Sequence, residues 1–270
     1  MQEQGWLPPL PPRPDEPPPP RRRSKLVVGF FVFLALFTAG IPGIVLIEEI
    51  RDHGQYAILH RSEGRPVVWN TCTPIRYVVS DELAPEGTDA DMREAIRRVE
   101  DASGLDFVEV GRADWTLDEF FRAGGAVEGS GGADWAPVLI GWEDAPSFAD
   151  EGAYGGSNAI EGEGAWRDRY VTGFVIMNAR QELEPGFAQE GGWGPAFMHE
   201  LGHLVGLGHV PKQQEIMAPV HFPPWPIDWG EGDRRGLTRI GASACRDGTA
   251  PPPRAFPGED LLSPPTPVGG

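Results

Sequence analysis

From residue 66 to residue 247 the apolar positions recur with two different periods, and the switches between them lay out a series of short elements. Residues 74–80, Pro-Ile-Arg-Tyr-Val-Val-Ser, are rich in β-branched and aromatic side chains and predict a strand. Residues 88–103 carry Met92, Ala95, Ile96 and Val99 at helical spacing, with Thr88 or Asp89 as the cap and Gly104 as the stop. Residues 105–110 alternate imperfectly and predict a second strand, and 137–142 and 170–177 predict two more. Helices are predicted over 193–206 and over 232–243, the latter with Leu237 and Ile240 on its inner face. The glycine-rich, acidic stretches 111–135 and 143–168 predict long surface loops, the second with a short extended edge near Ala153 to Ile160. Strands interleaved with helices predict an α/β unit.

Outside this span the pattern changes. Residues 1–25 hold nine prolines and the basic cluster Arg21-Arg22-Arg23 with Lys25, which predicts a disordered tail. Residues 26–47 carry no charge, and as a helix would span about 33 Å, enough for one bilayer crossing. Basic residues precede the run and Glu48 and Glu49 follow it, so the positive-inside rule predicts a cytoplasmic N-terminus and an exported domain. A cleaved signal peptide, cut near Ala39 or Gly40, is the alternative, and it exports the same domain. Residues 48–65 read as a linker, and 248–270, again proline-rich, as a second disordered tail.

The formal net charge of −17 argues against nucleic acid as a partner, because phosphate contacts need clustered Lys and Arg. Acidity by itself names no substrate. The two cysteines, Cys72 and Cys245, lie near the two ends of the folded region. In an oxidising compartment they would form one disulfide; in a cytosolic protein they would be two unrelated thiols. The export reading favours the disulfide.

Residues 199–209 read His-Glu-Leu-Gly-His-Leu-Val-Gly-Leu-Gly-His. On a helix, His199 and His203 leave the same face one turn apart, so two imidazoles can reach one ion. Glu200 is placed to take a proton from an attacking water and pass it to a leaving amine. Gly206 would end the helix in a left-handed turn, returning His209 as a third ligand. Three protein ligands with an open fourth position are the pattern of a catalytic rather than a structural site.

This run resembles the extended zinc motif HExxHxxGxxH of the metzincins. Met217, in Glu215-Ile216-Met217-Ala218-Pro219, resembles their Met-turn, and its spacing resembles the matrixin branch. The stretch from Trp69 to Tyr77 is similar to the opening strand of bacterial matrixin-like domains, and Gly232 to Leu237 to the start of their closing helix. The resemblance covers roughly 66–247. It implies a twisted, mostly parallel five-stranded sheet with an antiparallel edge strand, backing helices, an active-site helix and a small C-terminal subdomain. It also implies one catalytic Zn2+ on His199, His203 and His209, with Glu200 as general base. Activity on protein or peptide substrates follows, with the substrate adding as a strand near Ala153 to Ile160. The segment after Met217, with His221, Phe222, Trp225 and Trp229, would shape the neighbouring pocket.

The chain departs from animal matrixins in several ways. No histidine lies between His60 and His199, so a second, structural zinc has no evident ligands. Calcium sites do not carry over, although Asp144, Asp150 and Glu151 offer oxygens. No cysteine-bearing inhibitory segment is found. His53, His60 and His221 lack ligand spacing and read as structural or exposed. The expectation is therefore a membrane-tethered, extracytoplasmic zinc endopeptidase. The alternatives are a catalytically lapsed, zinc-stabilised surface binding module, or a hydrolase of non-peptide amides at the same site.

Overall fold

The structure, a computed structural model, describes residues 56–129, 132–144, 153–160, 168–243 and 261–267, with Trp166, Cys245, Gly248 and residues 250–253 between them. The basic tail, the apolar run 26–47 and His53 lie outside the described residues. Among the described residues, no helix is long and apolar enough to cross a membrane.

Three short strands come first: β1 (Ala57–Ile58), β2 (Arg61–Ser62) and β3 (Arg65–Pro66), the last two paired with each other. They are followed by β4 (Ile75–Ser80), α1 (Thr88–Ser103), β5 (Phe107–Arg112) and α2 (Leu117–Arg122). Next come β6 (Ala126–Gly129), β7 (Gly132–Trp135), β8 (Val138–Glu143), β9 (Ala153–Ala159) and β10 (Tyr170–Asn178). The chain continues through α3 (Trp193–Val205), β11 (Leu207–Gly208) and α4 (Glu231–Gly241). The main sheet has the order β5-β4-β8-β10-β9. Its first four strands are parallel, and β9 runs antiparallel to β10 at the edge. This is a mixed α/β architecture with a five-stranded, mostly parallel sheet.

Period-two alternation on the strands sorts their side chains between two cores. Tyr77 and Val79 of β4, Ile140 of β8 and Val175 of β10 point to one face, where they meet α1, α3 and α4. Val78, Leu139 and Ile176 point to the other face and meet Trp115, Phe120, Val127 and Leu262. On α1 the predicted stripe of Met92, Ala95, Ile96 and Val99 is buried. Its outer face is laced by Arg–carboxylate pairs such as Arg97–Glu94 and Arg93–Asp89.

Three expectations need correction. Residues 111–135 are not one long loop: they hold α2 and the β6–β7 hairpin. The reason is a capping box, in which Thr116 Oγ1 accepts from the Glu119 N–H while Glu119 accepts from the Thr116 N–H. It starts a helix that buries Leu117 and Phe120. The last residues of the predicted linker, from Tyr56, belong to the fold, because Ala57 and Ile58 are buried and β1 pairs with β11. The C-terminal stretch is not free throughout. Thr266 and Arg112 exchange backbone hydrogen bonds of 2.8 and 2.9 Å, so the chain end lies along the outer side of β5 and buries Leu262. One apolar residue and a free strand edge outweigh the composition there.

Cys72 and Cys245 are disulfide-bonded across 173 residues. Closing so long a loop contributes about 5 kcal/mol in the chain-entropy model.

Candidate metal centre

Helix α3 is buried almost all round: Phe197, Met198, Leu201, Leu204 and Val205 are inaccessible to solvent. Its polar residues, His199, Glu200 and His203, are therefore held in place by packing. Gly206 follows at φ 114°, its N–H bonded to the carbonyls of Gly202 and His203. A side chain would be strained at that φ, and the turn is what sends β11 back and brings His209 to the helix.

The result is a triangle of nitrogens. His199 Nε2 lies 3.1 Å from His209 Nε2 and 3.1 Å from His203 Nε2, and His203 to His209 is 3.0 Å. The other ring nitrogens fix the tautomers. His199 Nδ1 is 2.7 Å from the Ile216 carbonyl and His203 Nδ1 is 2.9 Å from the Leu207 carbonyl. Carbonyls only accept, so both Nδ1 atoms carry hydrogen and both Nε2 atoms present lone pairs toward each other. Converging lone pairs repel unless an N–H donor or a cation lies among them. Burial, then the charges of His203 and His209, hold His199 well below the usual histidine range. Burial, then His209, pushes His203 down to about 3. Neutral imidazoles are the form that binds metal. Tetrahedral donors about 2.0–2.1 Å from an ion stand about 3.3 Å apart, slightly wider than this triangle, so the donor set fits one small cation. Among the described residues it is the one cluster of His, Cys, Asp and Glu with such geometry.

Glu200 is next to His199 and only 8% exposed. The edge strand β9 crosses α3 at this level: a Cβ on Gly155 would come 2.3 Å from the Glu200 carbonyl oxygen. Ser157 Oγ donates to the Leu204 carbonyl, which also accepts the Trp69 indole N–H at 2.8 Å. Met217 lies against the ligand helix, and a Cβ on Gly202 would meet its sulfur at 2.4 Å.

The segment after Met217 is pinned at several points. Gln213 Nε2 donates to the Val220 carbonyl at 2.7 Å, and the Trp225 N–H donates to the Gln189 carbonyl at 2.7 Å. From α1, Arg98 lies 3.8 Å over the Phe187 ring and donates to the Ile227 carbonyl at 2.6 Å. Phe222 points outward and is 69% exposed. Trp229 instead is buried, donating to the Arg98 carbonyl.

His60 is half-buried and bonded to the Tyr170 hydroxyl at 2.9 Å, a structural role. Asp144 pairs with Arg180, which leaves it a poor cation ligand, and Asp150 and Glu151 lie outside the described residues.

Sequence spacing misses two features. His221 lies beside the triad, its ring 6.2 Å from that of His199 and its Nε2 2.9 Å from the Ile216 carbonyl. Behind Met217, Glu215 and Asp233 form a buried carboxyl pair, 4% and 0% exposed. Asp233 accepts the Ile216 N–H at 2.6 Å, and Glu215 accepts the N–H groups of Gly232 and Asp233. Burial, then Glu215, pushes Asp233 up to about 7. The resemblance placed Glu215 in the Met-turn stretch, His221 in the segment shaping the pocket and Asp233 at the start of the closing helix, but their pairing with Ile216 and with each other comes from tertiary folding.

No family model and no curated protein sequence matches this chain.

Proposed function

We propose that this chain is a zinc-dependent endopeptidase of the metzincin type, matrixin-like, with its catalytic domain outside the membrane and residues 26–47 as its tether. The observation that carries the reading is the triangle of Nε2 atoms of His199, His203 and His209, with Glu200 next in the chain to the first. Three imidazole ligands with an open fourth position suit Zn2+ in a catalytic role. Bound there, the ion would supply Lewis-acid polarisation of the scissile carbonyl and lower the pKa of the attacking water. Glu200 takes the proton from that water and delivers it to the leaving amine. It sits on the ligand helix itself and is largely shielded from solvent.

The sheet supports the same reading. Its antiparallel edge strand, β9, lies across the ligand helix. A substrate main chain adding to β9 would run past the metal in extended form. The segment from Val220 to Trp225 flanks it, with exposed Val220 and Phe222 offering apolar contact. We read the fold as metzincin-like on this basis, with Met217 as the apolar support beneath the ligands.

The test uses the full chain in detergent, because residues 261–267 pack on the domain and a shorter piece would lose them. Incubation with a mixed peptide library, with and without chelator, should give chelator-sensitive cuts mapped by mass spectrometry. Glu200→Gln should keep stoichiometric zinc and lose at least about 10³-fold in kcat/KM. A folded, zinc-loaded protein that cuts nothing would sink the peptidase reading in favour of a binding module. Full activity in Glu200→Gln would refute the role given to that residue.

A further inference from the structure

Strand β11 serves two of the three histidines. The Leu207 carbonyl accepts the His203 Nδ1–H at 2.9 Å, and His209 follows directly after Gly208. Yet the strand is two residues long, and it follows the left-handed Gly206. With glycine at two of the three positions ahead of His209, this backbone has unusual freedom and cannot hold a ligand by itself.

Its placement comes from outside. Among the described residues β11 pairs with β1 alone, in the register Ala57 to Gly208 and Ile58 to Leu207. The ladder continues as the Leu59 N–H donates to the Gly206 carbonyl at 2.8 Å. Residues 57–59 therefore face, one for one, the three residues ahead of His209. The pair rests on bare backbone at Gly236 of α4, where a Cβ would lie 2.6 Å from Leu207 Cδ2 and 3.1 Å from Tyr56 Cβ. His60 ties the end of the segment to the Tyr170 hydroxyl, and the Tyr170 ring stands 3.3 Å from where Gly206 would carry a Cβ. Beyond His209, the Val210 N–H donates to the Met217 carbonyl at 2.9 Å. The ligand is thus slung between two backbone anchors, one supplied by β1 and one by the turn at Met217.

We propose that residues 57–60 are a positioning element of the metal centre, whose pairing with β11 sets where His209 stands. A stretch that composition marks as linker is then part of the site. A segment that merely covered Leu207 would stabilise the fold without favouring the metal-bound form. A segment that places a ligand must do more, because the coupling is reciprocal: β1 favours the bound ion, and the bound ion holds β1 in place.

The inference rests on the triad's holding a metal and does not require peptide hydrolysis. The probe is Co2+ on the full chain in detergent, its affinity measured by competition with a chelator and its coordination by the visible spectrum. Leu59→Pro deletes the N–H that reaches Gly206 while remaining compatible with an extended backbone, and should weaken Co2+ binding by about tenfold. Leu59→Ala keeps that N–H and should stay within about twofold of the parent. In a His209→Ala background, Leu59→Pro should cost no more than about threefold, because the ligand through which it acts is gone. Equal losses in the two backgrounds, or as large a loss in Leu59→Ala, would overturn the proposal. Should Leu59→Pro fail to fold, hydrogen exchange on the parent decides. Co2+ should slow exchange of the Leu59 amide by about tenfold while the β6–β7 hairpin keeps its rates. No slowing at Leu59, or equal slowing in the hairpin, would overturn it as well. A parent chain that folds but binds no Co2+ would overturn this inference together with the metal reading. A metal-loaded chain that cuts no peptide would overturn the peptidase reading alone.

Discussion

The two faces of the main sheet are built to different tolerances. On the face that carries the ligand helix, backbone meets backbone. Gly155 admits no Cβ because the Glu200 carbonyl stands in its place, and Gly173 is similarly crowded by the Gly156 carbonyl and Leu204. Side-chain donors from Trp69 and Ser157 converge on the one carbonyl of Leu204. On the opposite face the core is smaller and is closed by a strap, residues 261–267, whose buried contribution is Leu262. Close tolerance is found where three nitrogens must meet within 3.1 Å, and looser closure is accepted where the sheet needs only a cover.

Paired substitutions would break this comparison most directly. Gly155→Ala and Gly111→Ala create the same nominal clash, Cβ against a carbonyl oxygen at 2.3 and 2.1 Å. At Gly155 neither β9 nor α3 can yield, so the expected loss is about 3 kcal/mol in urea unfolding, with weakened metal binding. At Gly111 the oxygen belongs to Thr266 of the strap, which can lift away. The expected loss there is about 1 kcal/mol, with metal binding unchanged, because release of the strap recovers chain entropy. Equal losses would show that the two faces are equally rigid.

A smaller effect sharpens the same point. Leu262→Ala should cost about 1–2 kcal/mol, below the 2–5 kcal/mol usual for a core leucine, because the strap detaches rather than leaving a cavity. Hydrogen exchange should then lose protection at residues 261–267 while α3 keeps its own.

A pH dependence on the ligand face sharpens the comparison in a different way. Asp233 ionises near 3.9 in the unfolded chain and at about 7 in the folded one. Between these values the folded state holds the extra proton, so this group's contribution to stability falls as pH rises from about 4 to about 7. In chelator-treated protein, the melting temperature of the parent should decline over that window relative to Asp233→Asn. Parallel curves would remove Asp233 from the account.

Much of the ligand face was legible in the sequence. The stripe on α1, the β-branched and aromatic run of β4 and the His-x-x-x-His spacing on α3 are local signals, and each forms the element it predicts. The opposite face was harder. Helix α2 is only six residues long, too short to show a period, although Thr116-x-x-Glu119 ahead of Phe120 was a readable start signal. The strap hides one useful leucine among prolines. The fine structure of the site was not legible at all beyond its ligands. Asp233 reaches the Ile216 N–H across 17 positions, and His221 reaches the same residue's carbonyl; such pairings exist only once α4 and the turn at Met217 have packed.

The strap has a consequence in time. Arg112 waits for Thr266, Cys72 for Cys245 and Ala57 for Gly208. Each early segment is completed by a late one, so the wiring is non-local, and chains wired in this way fold slowly. Most of this polypeptide must be made before any of those closures can occur.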